Sequence, residues 1–112
     1  MTVYVDWLMN YGWRLRGHAV MSCHMLSDTD DLVDLHTIAL KIGMKCSWFQ
    51  DERTPHYDLT STRRTLAIEA GAIAIDTREQ WREVIKPIID KWRMLKDLRR
   101  AKNSLGNAAL NT

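Results

Sequence analysis

The stretch AVMSCHMLSDTDDLVDLHTIALKIG, residues 19–43, decides the fold because it joins a predicted strand directly to a predicted helix. In the strand, residues 19–26, Ser22, His24 and Leu26 share one face, and Cys23 points to the other. Ser27 is expected to cap the helix. Aspartates then occupy the first turn, and Gly43 is the expected stop. The helical stripe consists of Leu32, Leu35, His36, Ala39 and Ile42.

The rest of the chain extends this α/β pattern on both sides. Predicted strands or extended segments cover residues 2–6, 46–50, 56–59 and 72–76, and a second helix spans residues 60–71. A capping box, Thr77 and Gln80, begins a last helix with the stripe Trp81, Val84, Ile85, Ile88, Trp92 and Leu95. We therefore expect a single-layer sheet of about four to five short strands with three helices, the last long and kinked at Pro87.

The charge of the chain is unevenly distributed. The 112 residues form one domain, with 46% apolar and 27% charged residues and a net charge of +2. Residues 78–102 carry nine Lys and Arg against four acids, so this helix is strongly basic. We expect a core over residues 1–77, the basic amphipathic helix 78–102 packed on it, and a frayed tail over residues 103–112. The absence of a leader or a long apolar run predicts a cytoplasmic protein without membrane contact.

Two histidines and an aspartate are the candidate catalytic groups. His56 and Asp58 should lie on one face of an extended segment, with Tyr57 on the other. His24 comes near the end of a strand, and Asp6, Asp28, Asp58 and Asp76 also lie at or near predicted strand ends, where ligand sites of α/β sheets gather. His56 and Asp58 can orient a general base or bind a polar ligand. They fit equally well a surface pair that flanks a buried Tyr57. Turn and cap roles are the alternative for the aspartates.

The sequence also permits a divalent metal ion. Its ligands would come from His24, His36 and His56, completed by Asp28 or Asp58. No HExxH or HxH spacing occurs, and a buried, hydrogen-bonded His36 is the alternative. The two cysteines, Cys23 and Cys46, show no CxxC spacing and are expected to be reduced and buried.

Basic residues suggest two further binding surfaces. Arg63 and Arg64 at the start of the second helix, beside three hydroxyls, can anchor a phosphate, or can pair with nearby acids. On the last helix, basic and acidic residues alternate, which fits a solvated face, a nucleic-acid surface or a helix that binds a partner or a second copy of the chain. The residues predicted to bind a partner there are Arg82, Lys86, Trp92, Arg93 and Arg100.

Several short motifs in order carry a family resemblance: TVYVD, CHMLSD, DLH, WFQ, HYDL and RRTLAIEAGA. Over residues 2–76 the chain resembles domain-of-unknown-function family 4031, small proteins found in bacteria and often in tailed bacteriophages. The family implies no established activity. The resemblance implies one convergent polar site, made of Cys23, His24, Asp28, His36, Gln50, His56, Tyr57, Asp58 and Arg64. The loop before Cys23 and the long basic helix depart from the family pattern.

Two functions follow as hypotheses. In the first, His24, His56 and Asp58 are the catalytic groups of a pocket that binds or hydrolyses a phosphate-bearing ligand, a nucleotide or nucleic acid. Asp28, His36, Gln50, Tyr57, Arg63 and Arg64 would be its ligand-binding residues. In the second, the chain is a non-catalytic phage accessory protein that binds and modulates a host protein through its C-terminal helix.

Overall fold

The central sheet has four strands with a mixed arrangement. The computed structural model describes residues 2–110, and the side chains of residues 2–103. Strands β1 (Val3–Val5), β4 (Ser22–Ser27), β5 (Tyr57–Thr60) and β6 (Ile73–Ala74) lie in the order β5-β4-β1-β6. β4 is antiparallel to both β1 and β5, whereas β6 runs parallel to β1. The α/β prediction is confirmed.

A separate hairpin lies between β1 and β4, where the sequence predicted only a loop. Strands β2 (Arg14–Leu15) and β3 (His18–Ala19) pair across a two-residue turn. Both turn residues, Arg16 and Gly17, have positive φ angles, 53° and 80°. Two positive φ angles in a row match the right-handed twist of the flanking strands, which explains why Gly17 closes the turn.

Helices cover both faces of the sheet. Helices α1 (Val33–Lys41) and α2 (Ser61–Glu69) close one face, which buries side chains such as Val5, Met25 and Leu59. The opposite face is covered by the C-terminal helix, a continuous segment made of α3 (Arg78–Gln80), a π-helical turn (Trp81–Ile85) and α4 (Lys86–Leu110). Its predicted stripe is confirmed, because all six residues pack in the second core cluster beside Leu26 and Ile75.

The C-terminal helix departs from regular α geometry where the kink was predicted. The π-helical turn ends two residues before Pro87, which has no backbone N–H to donate. Helical backbone continues to Leu110, through much of the segment expected to fray. Asn111 and Thr112 lie outside the described residues, so the predicted domain division stays a prediction. No helix in the described part of the chain is both long and apolar enough to span a bilayer.

Two predictions about local structure are wrong. Residues Cys46–Trp48 form a 3-10 turn instead of a strand, and none of the three is buried. Ser27 does not cap α1: it is the last residue of β4, paired with Val3, and its hydroxyl donates to Asp34 in the helix. Helix α1 therefore begins at Val33, after a loop that contains the three aspartates.

The capping box at the start of the C-terminal helix gives a direct test of local stability. The Thr77 hydroxyl accepts from the backbone N–H of Gln80, and the Gln80 side chain accepts from that of Thr77. We expect Thr77→Ala to lower the free energy of unfolding by about 1 kcal/mol. Urea unfolding followed by circular dichroism measures this change. Thr62→Ala is the control, because Thr62 is an exposed helical residue, and should change stability by less than about 0.5 kcal/mol. Equal effects would contradict the capping role.

Candidate functional site

The register between β4 and β5 brings three candidate side chains together. His24 in β4 lies directly opposite Asp58 in β5, and His56 precedes Asp58 by two residues. Because successive residues of a strand point to opposite faces, His56 and Asp58 lie on one face and Tyr57 is buried on the other. We call His24, His56 and Asp58 the polar triad.

The ring nitrogens of the triad converge on one carboxylate oxygen. Oδ1 of Asp58 lies 3.4 Å from Nε2 of His56 and 3.8 Å from Nε2 of His24. The two imidazole rings meet edge to face, with their centroids 5.2 Å apart. The other carboxylate oxygen of Asp58 accepts a 2.5 Å hydrogen bond from the Gln50 side chain. Gln50, predicted as a ligand-binding residue, therefore orients Asp58.

Asp6 holds His24 in place. One oxygen of this buried carboxylate accepts the backbone N–H of His24 at 2.6 Å, and the other lies 2.9 Å from Nδ1 of its ring. The backbone carbonyl of Asp6 in turn accepts from Nε of Arg64, whose guanidinium also pairs with Asp76. Two of the four strand-end aspartates are thus linked through Arg64, and Asp6 belongs to the site although it was not among the predicted site residues.

His56 and Asp58 alter each other's ionisation. Burial works to lower the pKa of His56, but hydrogen bonds with Asp58 and with the Thr54 carbonyl raise it, on balance, above its ordinary value of 6.5. The hydrogen bond from His56 holds the pKa of the Asp58 carboxyl below its ordinary value, helped by Gln50 and opposed by burial. A positive charge on His56 is therefore favoured next to a negative Asp58.

The triad opens into a cleft between the sheet and the C-terminal helix. The cleft has a volume of about 720 Å³, and both histidines of the triad line it. Trp7 and Trp81 supply aromatic surface, and Tyr11 lies beside His24, with ring centroids 5.3 Å apart. The charged residues that line it are Asp6, Glu52, Arg53, Arg93, Lys96, Asp97 and Arg100.

Three arginines of the cleft form no ion pair with a carboxylate in the described part of the chain. Among the described side chains, no carboxylate lies within 4.0 Å of the guanidinium of Arg53, Arg93 or Arg100. Lys96 is held differently, since its ammonium group contacts both the backbone carbonyl and the carboxylate of Asp51. The arginines are therefore the cations of the cleft that a bound anion can pair with.

Other residues predicted for one convergent site lie elsewhere. Nδ1 of His36 is 2.8 Å from the Tyr57 hydroxyl, and both rings pack against Phe49, apart from the triad. Asp28 accepts from the backbone N–H of Thr2. Arg63 donates to the carbonyl of Ile42 at the end of α1. These contacts stabilise the fold, and the ligand-binding roles assigned to these residues stay predictions.

The cysteine next to His24 is not part of the cleft. Cys23 is fully buried on the opposite face of β4, and burial raises the pKa of its thiol to about 12. At neutral pH it is protonated and a poor nucleophile. Both cysteines are free, as expected, but Cys46 is exposed, so the prediction that both are buried is wrong for Cys46.

The residues predicted on the last helix divide between three environments. Arg93 and Arg100 line the cleft. Lys86 pairs with Asp90, and Arg82 is exposed. Trp92 is buried in the second core cluster, and the partner-binding role predicted for it stays a prediction.

Comparison with known proteins supports the resemblance. The sequence profile of the family described as "Protein of unknown function (DUF4031)" matches residues 3–86. The chain belongs to this family. Neither the curated proteins nor the solved structures contain a significant match. The DUF4031 match includes the whole polar triad and Asp6, whereas Arg93, Lys96 and Arg100 lie beyond its end. The cleft is therefore lined partly by residues within the family match and partly by residues of α4 beyond it.

Sequence reasoning missed two groups of the site. Asp6 was considered only as one of four strand-end aspartates, and its hydrogen bonds to His24 join residues 18 positions apart. Arg53 stands in a loop with no regular pattern, so nothing local marked it. The position of Asp6 directly after a strand was the available signal for its role.

The coupling between His56 and Asp58 predicts a change in titration. Asp58→Asn removes the charge and the hydrogen bond that raise the pKa of His56 and leaves burial, which lowers it. We expect the midpoint of His56, followed by NMR of its ring C–H signals, to fall relative to the wild type. The raised pKa of His56 stabilises the folded state fully below pH 6.5, and this stabilisation is lost as the pH rises through the folded-state pKa. The free energy of unfolding of Asp58→Asn should therefore lose this pH dependence. Asp31→Asn, in an exposed loop, is the control. An unchanged midpoint in Asp58→Asn would contradict the coupling.

Proposed function

We propose that the protein binds a phosphate-bearing ligand, a nucleotide or a nucleic acid, in the cleft and hydrolyses one of its phosphoester bonds. One observation carries the proposal: both histidines of the polar triad line the same cleft as three arginines that have no carboxylate partner among the described side chains. Guanidinium groups form paired hydrogen bonds with phosphate oxygens, and imidazole and carboxylate groups transfer protons near neutral pH. The cleft thus brings an anion-binding surface to groups able to act on the anion.

The arginines lie on two sides of the cleft, which suits an extended ligand. Arg53 comes from the loop before β5, while Arg93 and Arg100 come from α4. The exposed parts of Trp7 and Trp81 offer aromatic surface against which a base or sugar can pack. Glu52 and Asp97 also line the cleft, and they disfavour an anion beside themselves, so the proposed contacts to phosphate come from the three arginine side chains.

The triad can supply both proton transfers of a phosphoester hydrolysis. Water attacks phosphorus and must lose a proton, while the leaving oxygen must gain one. Nδ1 of His56 donates to the Thr54 carbonyl, so its Nε2 faces Asp58 with a lone pair when the ring is neutral. One of the two rings, in its neutral form, accepts the proton of the water, and the other, in its protonated form, donates a proton to the leaving oxygen.

Paired arginine variants test the anion-binding wall. We expect Arg93→Ala with Arg100→Ala to weaken binding of a fluorescent nucleotide or a short single-stranded oligonucleotide by at least about tenfold, and to reduce the salt dependence of binding. Fluorescence anisotropy at two salt concentrations measures both effects. The control is Arg82→Ala on the exposed part of the same helix, which should change affinity by less than about twofold. Equal losses in both variants, or no binding by the wild type, would refute the proposal.

A second candidate function is the binding of another protein through α4, such as a host protein if a phage encodes the chain. The observation that favours it is a pair of apolar side chains one helical turn apart, Met94 and Leu98, which are 65% and 60% exposed. Adjacent exposed apolar residues on one helix face are typical of partner or dimer surfaces.

Introducing negative charge at this apolar pair tests the second function. We expect Met94→Glu with Leu98→Glu to abolish self-association, seen by light scattering after size exclusion, or capture of a specific bacterial protein. The same variant should leave the melting temperature nearly unchanged, because both side chains are exposed. Ser61→Glu, exposed on α2, is the matched control. A monomeric wild type that captures no partner would remove this candidate.

A further inference from the structure

We infer that His24, His56 and Asp58 bind a divalent first-row transition metal ion such as Zn²⁺ through Nε2 of each ring and Oδ1 of the carboxylate. One ligand atom from each of the three residues lies within 4.8 Å of the others. This inference goes beyond the proposed function, because it depends only on the triad and needs no phosphate-bearing ligand.

The hydrogen bonds of the two rings fix which nitrogen carries the proton. Nδ1 of His56 lies 2.7 Å from the Thr54 carbonyl, which can only accept, so Nδ1 must be the protonated nitrogen. Nδ1 of His24 lies 2.9 Å from the Asp6 carboxylate, which also only accepts when ionised. In each neutral ring, Nε2 is therefore left with an unshared lone pair. Both lone pairs belong to the nitrogens nearest Oδ1 of Asp58.

When both rings are neutral, three electron-pair donors face one another, and a positive charge between them offsets their mutual repulsion. A single proton bridges only two of the three atoms, whereas a metal ion accepts from all three. Ligand atoms about 2.1 Å from a tetrahedral Zn²⁺ lie roughly 3.4 Å apart. The observed separations from Oδ1 of Asp58 are 3.4 Å and 3.8 Å. Two of the three separations are thus close to those of a tetrahedral site, and all three ligand atoms lie within 4.8 Å of one another.

Each of the three ligands has its own supporting hydrogen bond. Asp6 orients His24, the Thr54 carbonyl orients His56, and the Gln50 amide holds the second oxygen of Asp58. A carboxylate or carbonyl that accepts from the distal nitrogen of a metal-binding histidine is the usual outer shell of such sites. A simple surface ion pair has no need of this arrangement, and the buried position of Asp6, 5% exposed, shows that it is built into the fold.

The number of protein ligands is that of a catalytic metal site, which keeps one coordination position open. Two imidazoles and one carboxylate suit first-row transition ions, and three protein ligands leave a coordination position for water or substrate. Side-chain exposures of 34% for His24 and 37% for Asp58 place that position towards solvent. Both histidines line the cleft, so a bound ion reaches the space assigned to the phosphate-bearing ligand. Such an ion would occupy Nε2 of both rings, so in the metal-loaded protein water on the ion would take over the proton transfers assigned to the rings.

Metal titration of the full chain without an affinity tag tests the inference. Chelator-treated protein is titrated with Zn²⁺ by calorimetry and with Co²⁺ by visible absorption, in the absence of any phosphate compound. We expect one ion per chain in the wild type, and a loss of affinity of at least about tenfold in both His24→Gln and His56→Gln. His18→Gln is the matched control, because His18 is an exposed histidine of the separate hairpin, and it should bind as the wild type does. No stoichiometric binding by the wild type, or equal affinity in all three variants, would overturn the inference.

A measurement on the wild type alone covers the case in which a variant fails to fold. In the Co²⁺-loaded protein, hyperfine-shifted NMR signals should come from the rings of His24 and His56. Such signals from His18 or His36 instead, or from no ring, would overturn the inference. Metal binding and oligonucleotide binding are measured separately. A chain that binds metal but no phosphate compound thus refutes the proposed function alone, and the reverse result refutes the metal site alone.

Discussion

The antiparallel pairing of β4 with β5 is the constraint on which the rest of the structure depends. Tyr57 and Leu59 are almost completely inaccessible to solvent, and they occupy the core with α1 and α2. A shift of one residue in this register would turn their side chains to the cleft and carry Asp58 into the core. Because the apolar side chains fix the register, they also fix His24 opposite Asp58. The stability of the core and the geometry of the polar triad therefore have the same origin.

Period-2 alternation made half of this arrangement predictable. It correctly placed His56 and Asp58 on one face of their strand and Tyr57 on the other, and it separated His24 from Cys23. Helical periodicity likewise predicted the face of the C-terminal helix that is buried. These are local properties, in which neighbouring residues alone decide the direction of a side chain.

Long-range contacts account for what the sequence did not disclose. Ser27 suits both a strand end and a helix cap, and pairing with Val3 decided for the strand. Residues 46–50 have strand-like composition, but among the described residues their β pairing is limited to one isolated bridge, between Gln50 and His56. From the sequence, His36 was as good a candidate ligand as His24 and His56, but in the structure its ring packs against Tyr57 and Phe49. In each case a residue type allowed two roles, and tertiary contacts selected one.

Lys96 connects the C-terminal helix to the loop on the other side of the cleft. Its side chain reaches from α4 to the carbonyl and the carboxylate of Asp51, in the loop that leads to His56. Lys91 reaches from the same helix to Asp28 and Asp30, in the loop after β4. A rotation of α4 must either break these contacts or pull both loops with it. The C-terminal helix is therefore connected by side-chain contacts to two loops, one of which leads to His56.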